Sequence, residues 1–213
     1  MPSPNIDHAL ELLAQRRPVF HSEADFQHAL AWEFQLMDPT TNIRLKKQIA
    51  AAGSRIHLDL LAQGAGYEVA IEVKYKTKAA EIVHCNEIFS LRNQRAQDIG
   101  RHDFVKDIGR LEKYTDSHPG SIGYAILLTN DRTYWLASQK LAAVDSEFRI
   151  HEDRVMEGSL AWSSRASEGT KRNRNAAIEL QCGYKPKWRD FSIVGVDHSE
   201  KFRYLALKVP SEG

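Results

Sequence analysis

The sequence predicts an α/β fold: a core running helix, three strands, helix, strand around a mixed central sheet, followed by a β-rich C-terminal extension. Three observations predict it. A helical stripe follows a capping signal at Ser22, two alternating runs flank Gly64-Ala65-Gly66, and a continuous apolar run at 121–130 follows a second amphipathic helix.

The elements can be justified in chain order. Ile6, Leu10 and Leu13 suggest a short helix over 4–16, broken by Arg16-Arg17-Pro18. Ser22 with Asp25 three residues later resembles a capping box, and Phe26, Leu30, Phe34 and Met37 recur at helical spacing up to Asp38-Pro39. Strands are expected at 42–50, 55–63 and 67–76, the last two joined by the glycine turn. Residues 77–97 read as an irregular loop. A helix at about 98–116 carries Phe104, Ile108, Leu111 and Thr115 on one face and ends at His118-Pro119-Gly120. The run 121–130 reads as a buried strand and 133–138 as another. Further strands are expected at 147–151, 176–181 and 202–209. Residues 1–21 therefore form an N-terminal helical segment, 22–140 the core, and 141–213 an extension packed on the same domain.

Composition narrows the function. The 213 residues are 42% hydrophobic and 27% charged, and no run approaches the ~18 apolar residues of a membrane span. The N-terminus lacks the apolar stretch of a signal peptide. The two cysteines, Cys85 and Cys182, are far apart and expected to be free thiols. A cytoplasmic protein without membrane association is the expectation. Net charge is +1, so polyanion binding has to come from local patches.

The second and third strands carry the chemistry. Residues two apart in a strand share a face, so Val69, Ile71, Val73 and Tyr75 line one side while Glu72 and Lys74 point to the other. A turn pairing Gly64 with Tyr67, or a loop pairing Gln63 with Glu68, sets Asp59 opposite Glu72. Two carboxylates that close repel unless a cation compensates. Lys74 supplies one charge, and a hard divalent ion, Mg²⁺ or Mn²⁺, suits the oxygen ligands. A cross-strand salt bridge on a solvated face is the alternative. His57 shares the Asp59 face, where it either touches substrate or is an ordinary strand residue.

Asp59 followed by Glu72-Val73-Lys74 resembles the signature of the PD-(D/E)xK, or restriction-endonuclease-like, nuclease superfamily, and the order of elements over 22–130 is similar to that superfamily's core. Leu58 stands where the signature has proline. The resemblance implies a metal-dependent nuclease acting on DNA, of restriction, defence or repair type. It implies that Asp59, Glu72 and the Val73 carbonyl hold Mg²⁺ or Mn²⁺ and that Lys74 orients or activates the attacking water. It also implies a helix carboxylate, for which Glu23, inside the apolar stripe, is preferred over Glu33, with Gln27 assisting. A non-catalytic protein of the same fold that binds nucleic acid or a partner is the alternative, and a homodimer is compatible with double-strand cleavage.

Basic groups that would grip phosphates are Lys106, Arg110 and Lys113, with His102 alongside, on the helix at 98–116, and Lys171, Arg172 and Arg174 in GTKRNRN (169–175). Asp103 and Asp107 could instead neutralise Lys106 and Arg110 at i,i+3 spacing, and 169–175 could be a plain surface loop. Lys185, Lys187, Trp188 and Arg189 set an aromatic among cations, which suits either base stacking or core burial. His84, Cys85 and Glu87 lack the spacing of a metal site.

Overall fold

In the computed structural model, which describes residues 4–51, 54–138 and 143–210, a six-stranded mixed sheet is sandwiched between two layers. Helix α1 (Ile6–Arg16) starts at Asn5, whose side chain accepts from the His8 amide. Helix α2 (Glu23–Met37) is capped by Ser22, which accepts from the Asp25 amide. Three antiparallel strands follow: β1 (Asn42–Ala51), β2 (Ser54–Gly64) and β3 (Tyr67–Lys76).

After β3 the chain forms a small hairpin, β4 (Ala80–His84) and β5 (Glu87–Leu91), then helix α3 (Gln97–Ser117) and strand β6 (Ser121–Thr129). Strand β6 returns parallel to β3, as the long connection permits. The rest comprises β7 (Met156–Leu160), the single turn α4 (Glu168–Lys171), β8 (Ile178–Tyr184), β9 (Trp188–Ile193) and β10 (Lys201–Val209). The central order is β1-β2-β3-β6-β10-β9, so the C-terminal strands extend the same sheet, while β7 and β8 pair separately.

Alternation along the strands divides the core. Val69, Ile71, Val73 and Tyr75 pack with Phe26, Leu30 and Phe34 of α2 and with α1 on one face. Leu61, Ala70, Ala125 and Leu127 pack with Phe104, Ile108 and Leu111 of α3 on the other, beneath β7 and β8. Glu72 and Lys74 therefore point into the α3 layer, as their register requires.

Several expectations are corrected. Residues 77–97 contain the β4–β5 hairpin, whose alternation is short and polar; Cys85 and Asn86 make its turn with φ of 50° and 64°. Residues 133–138 form turns instead of a strand, because Asp131 accepts from the Thr133 amide and hydroxyl and bends the chain. A 3₁₀ turn at Ser146–Phe148 and unpaired residues replace the strand expected at 147–151. Strands β7 and β9 were not expected; in β9 only Trp188 and Phe191 are buried, so the alternation is faint. Trp188 belongs to the core, its indole N–H donating to the Ile150 carbonyl at 2.7 Å, which removes it as a base-stacking platform.

Candidate active site

Pairing between β2 and β3 runs from Gly64↔Tyr67 to Leu60↔Ile71 and stops one pair before Asp59 and Glu72. The register is the one the turn dictates, and the strands part where the charges begin. Parting leaves backbone groups of β3 without a ladder, and such groups need other partners. Side chains supply them. The Val73 amide donates to Asp59 Oδ2 at 2.9 Å, and the Tyr75 amide donates to Glu23 Oε2 at 3.1 Å. The Gln27 side-chain amide donates to the Asp59 carbonyl.

Glu23 and Gln27 lie one turn apart on α2, on the opposite layer from α3. They meet the site at its backbone, Glu23 at the Tyr75 amide and Gln27 at the Asp59 carbonyl. Glu33 is spent elsewhere: it is buried against α1, where Arg16 Nη1 meets its Oε2 at 2.8 Å. Of the two helix carboxylates, the structure brings Glu23 to the site and leaves Glu33 out.

On the α3 side the charges interlock. Asp59 Oδ1 is paired with Lys46 of β1, directly across the β1–β2 ladder, where Lys46 adopts a φ of 49°. Lys74 is paired with Asp107 of α3. Arg110, one turn along α3, lies 2.9 Å from Asp107 Oδ1 and 3.0 Å from Glu72 Oε1, and donates to the His57 carbonyl at 2.9 Å. The Arg110–Glu72 contact is close but poorly aligned, so Glu72 Oε1 is buried without a hydrogen bond. The Lys74 ammonium also lies 3.4 Å from the Val73 carbonyl.

Protonation follows from this crowding. Burial, then the charges of Asp107 and Asp59, push the Glu72 carboxyl up to about 9, against the pull of Arg110. Burial also works against the Asp59 carboxylate, but Lys46, the Val73 amide and a hydrogen bond from Glu72 outweigh it and hold Asp59 below its ordinary value. Of the two, Glu72 is the carboxyl that favours its proton and Asp59 the one that favours its charge. Burial raises Asp107 despite its two cationic neighbours. Burial disfavours the Lys74 ammonium, yet Asp107 more than compensates and keeps it charged.

Asp59, Glu72, Val73, Lys74 and Glu23 therefore converge. His57 is exposed and contributes its carbonyl. Two participants were not expected in the centre: Lys46, one of two adjacent lysines in an unremarkable strand, and Asp107, foreseen only as a neutraliser of Arg110. Among the basic residues, Arg110 turns inward to Glu72 and Asp107. Arg174 is held by Asp103 at 3.0 Å, which also takes His102 and leaves Lys106 unpaired among the described residues. Lys113 and Arg172 are exposed, and Lys171 reaches the Ser164 carbonyl at 3.5 Å. Lys185 and Arg189 are paired with Asp153 and Asp7, and Glu87 with His21.

Among the described residues no three His, Cys, Asp or Glu side chains are arranged to enclose a metal on their own. The donor types are nevertheless those a hard divalent ion takes: two neighbouring carboxylates, one oxygen of Glu72 being buried without a hydrogen bond, and the Val73 carbonyl between Glu72 and Lys74 in the chain. No family model, curated protein or solved structure matches the chain. No helix among the described residues is long and apolar enough to cross a membrane.

Proposed function

We propose that this protein is a metal-dependent nuclease of the PD-(D/E)xK, restriction-endonuclease-like type, hydrolysing phosphodiester bonds in nucleic acid, DNA foremost. The observation that carries the reading is the parting of β2 and β3 at Asp59 and Glu72, which gathers two buried carboxylates, the Val73 carbonyl and the partly buried Lys74 ammonium. A cross-strand salt bridge on a solvated face accounts for these charges poorly, because Asp59 and Glu72 are 5% and 2% exposed.

Asp59, Glu72 and the Val73 carbonyl would hold Mg²⁺ or Mn²⁺. Such an ion, when bound, supplies an acidified water and stabilises charge on the phosphate oxygens. Lys74, fixed by Asp107, presents a permanent positive charge beside the carboxylates, suited to orienting the attacking water and offsetting charge as it grows. Arg110 is a second cation at the same opening. Gln27 and Glu23 act as positioning residues: they tether the parted strands and keep the opening from closing into a ladder.

A second reading, a binding protein of the same fold without catalysis, is favoured by one observation. Lys46 and Asp107 already pair with Asp59 and Lys74, and Arg110 lies against Glu72. The deciding experiment incubates the protein, beside a Glu72→Ala/Lys74→Ala variant, with linear duplex, circular and single-stranded DNA and with RNA, in Mg²⁺, Mn²⁺ or EDTA. Cleavage that needs metal and vanishes in the variant supports the nuclease. Nucleic-acid binding with no cleavage under any condition supports the second reading.

A further inference from the structure

A cavity of about 240 Å³ opens between α3 and the chain entering β8, beside the carboxylate centre. Its apolar side is made by Gly109, Ala177 and Ile178, and its rim carries Lys106, Arg110 and Lys113. The volume lies below the roughly 300–1,000 Å³ of pockets for drug-sized ligands, a scale fitting one small planar group.

Its walls have two distinct chemistries. Lys106 and Lys113 are exposed and make no ion pair among the described residues. They are seven residues apart, about 10 Å along the axis of α3. Gly109 and Arg110 lie between them. A glycine inside a 21-residue helix costs about 1 kcal/mol relative to alanine. A Cβ at Gly109 would make ordinary contacts, 3.5 Å from Ile178 Cγ2, so packing does not demand the glycine. A side chain larger than alanine at this position would press on Ile178, the Glu179 carbonyl and Leu180, at the β8 side of the cavity.

Arg110 ties the cavity to the chemistry, since the same guanidinium touches Glu72 and Asp107. An apolar slot with two lysines along its α3 wall and Arg174 and Glu179 on the facing wall, sharing an arginine with the candidate cleavage centre, has the form of a nucleotide site. We propose that this cavity receives one unpaired nucleotide next to the cleaved phosphodiester, its base against Gly109, Ala177 and Ile178 and its flanking phosphates on Lys106 and Lys113. The substrate class is therefore a strand with unpaired bases: single-stranded, overhanging or flipped out. This rests on the nuclease reading for the nature of the occupant.

The test measures binding separately from cleavage. Fluorescence anisotropy in EDTA compares a labelled oligo(dT) with a blunt duplex of equal length, for wild type, Gly109→Leu and Lys106→Ala/Lys113→Ala. The expected result is at least tenfold tighter binding of oligo(dT) by wild type. Gly109→Leu, shown folded by its circular dichroism and Tm, abolishes that preference, and the double lysine variant weakens both ligands and flattens the salt dependence. Equal binding of the two ligands by wild type overturns the proposal, as does an unchanged preference in folded Gly109→Leu. Preference lost in Gly109→Leu without metal-dependent cleavage by wild type upholds the nucleotide site and removes the nuclease. Cleavage of blunt duplex that Gly109→Leu leaves untouched does the reverse.

Discussion

The Val73 amide donates to the Asp59 carboxylate at 2.9 Å, across a gap where β2 no longer pairs with β3. A side chain has taken the place of a backbone carbonyl. Asp59 is thereby oriented by the strand it has left, with its second oxygen turned toward Lys46. The same displacement leaves the Val73 carbonyl next to the Lys74 ammonium and buries Glu72 against α3. Structure and candidate chemistry are one arrangement here: closing the ladder would remove the site.

Glu72 is stored energy. Burial and the charges of Asp107 and Asp59 push its carboxyl up to about 9 from an ordinary 4.5, so the folded state holds a proton that the unfolded chain releases. Stability therefore falls as pH rises from about 4.5 to 9. Glu72→Gln retains a donor toward Asp59 and cannot ionise. It is expected to raise Tm by at least ~2 °C at pH 8, with a smaller gain at pH 5, and to abolish activity. Thermal melts across pH check this; an equal or lower Tm at pH 8 would show that Glu72 carries no such burden.

Divalent ions should compete with that proton. An ion entering between Asp59 and Glu72 needs both ionised, so binding near pH 7 is expected to release about one proton per ion. Mg²⁺ or Mn²⁺ titrated calorimetrically in two buffers of different ionisation enthalpy gives the count directly. Affinity is expected to rise with pH up to about 9. Binding heats that do not depend on the buffer would place the ion elsewhere.

How much of this was legible depends on the kind of signal. The hairpin and its register followed from period-two alternation around a glycine turn, which acts over a few residues, and so did the meeting of Asp59 with Glu72. The stripe on α2 likewise placed Glu23 toward the sheet. Lys46 and Asp107 were hidden because their roles depend on which strand lies beside β2 and which helix face meets β3, relations made by tertiary packing. Arg110 read as an outward cation from its helical phase; a long guanidinium reaches around the helix to a buried carboxylate and defeats such phase arguments. Strand β9 was missed because it is an edge strand with few buried positions.

Asp107→Asn separates positioning from charge. Asp107 holds both Lys74 and Arg110, and burial alone would lower the lysine's affinity for its proton. Breaking a buried pair from one side costs about 3–5 kcal/mol. The variant is expected to lose stability on that scale in urea unfolding. If active at all, it should show kcat falling on the alkaline side, where Lys74 without Asp107 gives up its proton earlier than in the wild type, and little change in KM. A pH profile parallel to wild type, with activity scaling only with the folded fraction, would reduce Asp107 to a purely structural residue.

Glu112 supplies the complementary case, a buried carboxylate outside the site. It accepts from the Gln181 and Cys182 amides, each at 3.1 Å, and from the Tyr184 hydroxyl at 2.8 Å, riveting β8 onto α3. Burial and this carboxylate both push the Tyr184 phenol well above its ordinary range. Glu112→Ala strands three donors, at about 1–3 kcal/mol for each left unsatisfied. The variant is expected to lose hydrogen-exchange protection in β8 first, and to keep its divalent-ion affinity at temperatures where it remains folded. Because β8 forms one wall of the Gly109 cavity, the preference for unpaired strands should weaken together with that protection. Loss of ion affinity alongside an intact β8 would instead mean that α3 transmits Glu112 to Asp107 along its own length.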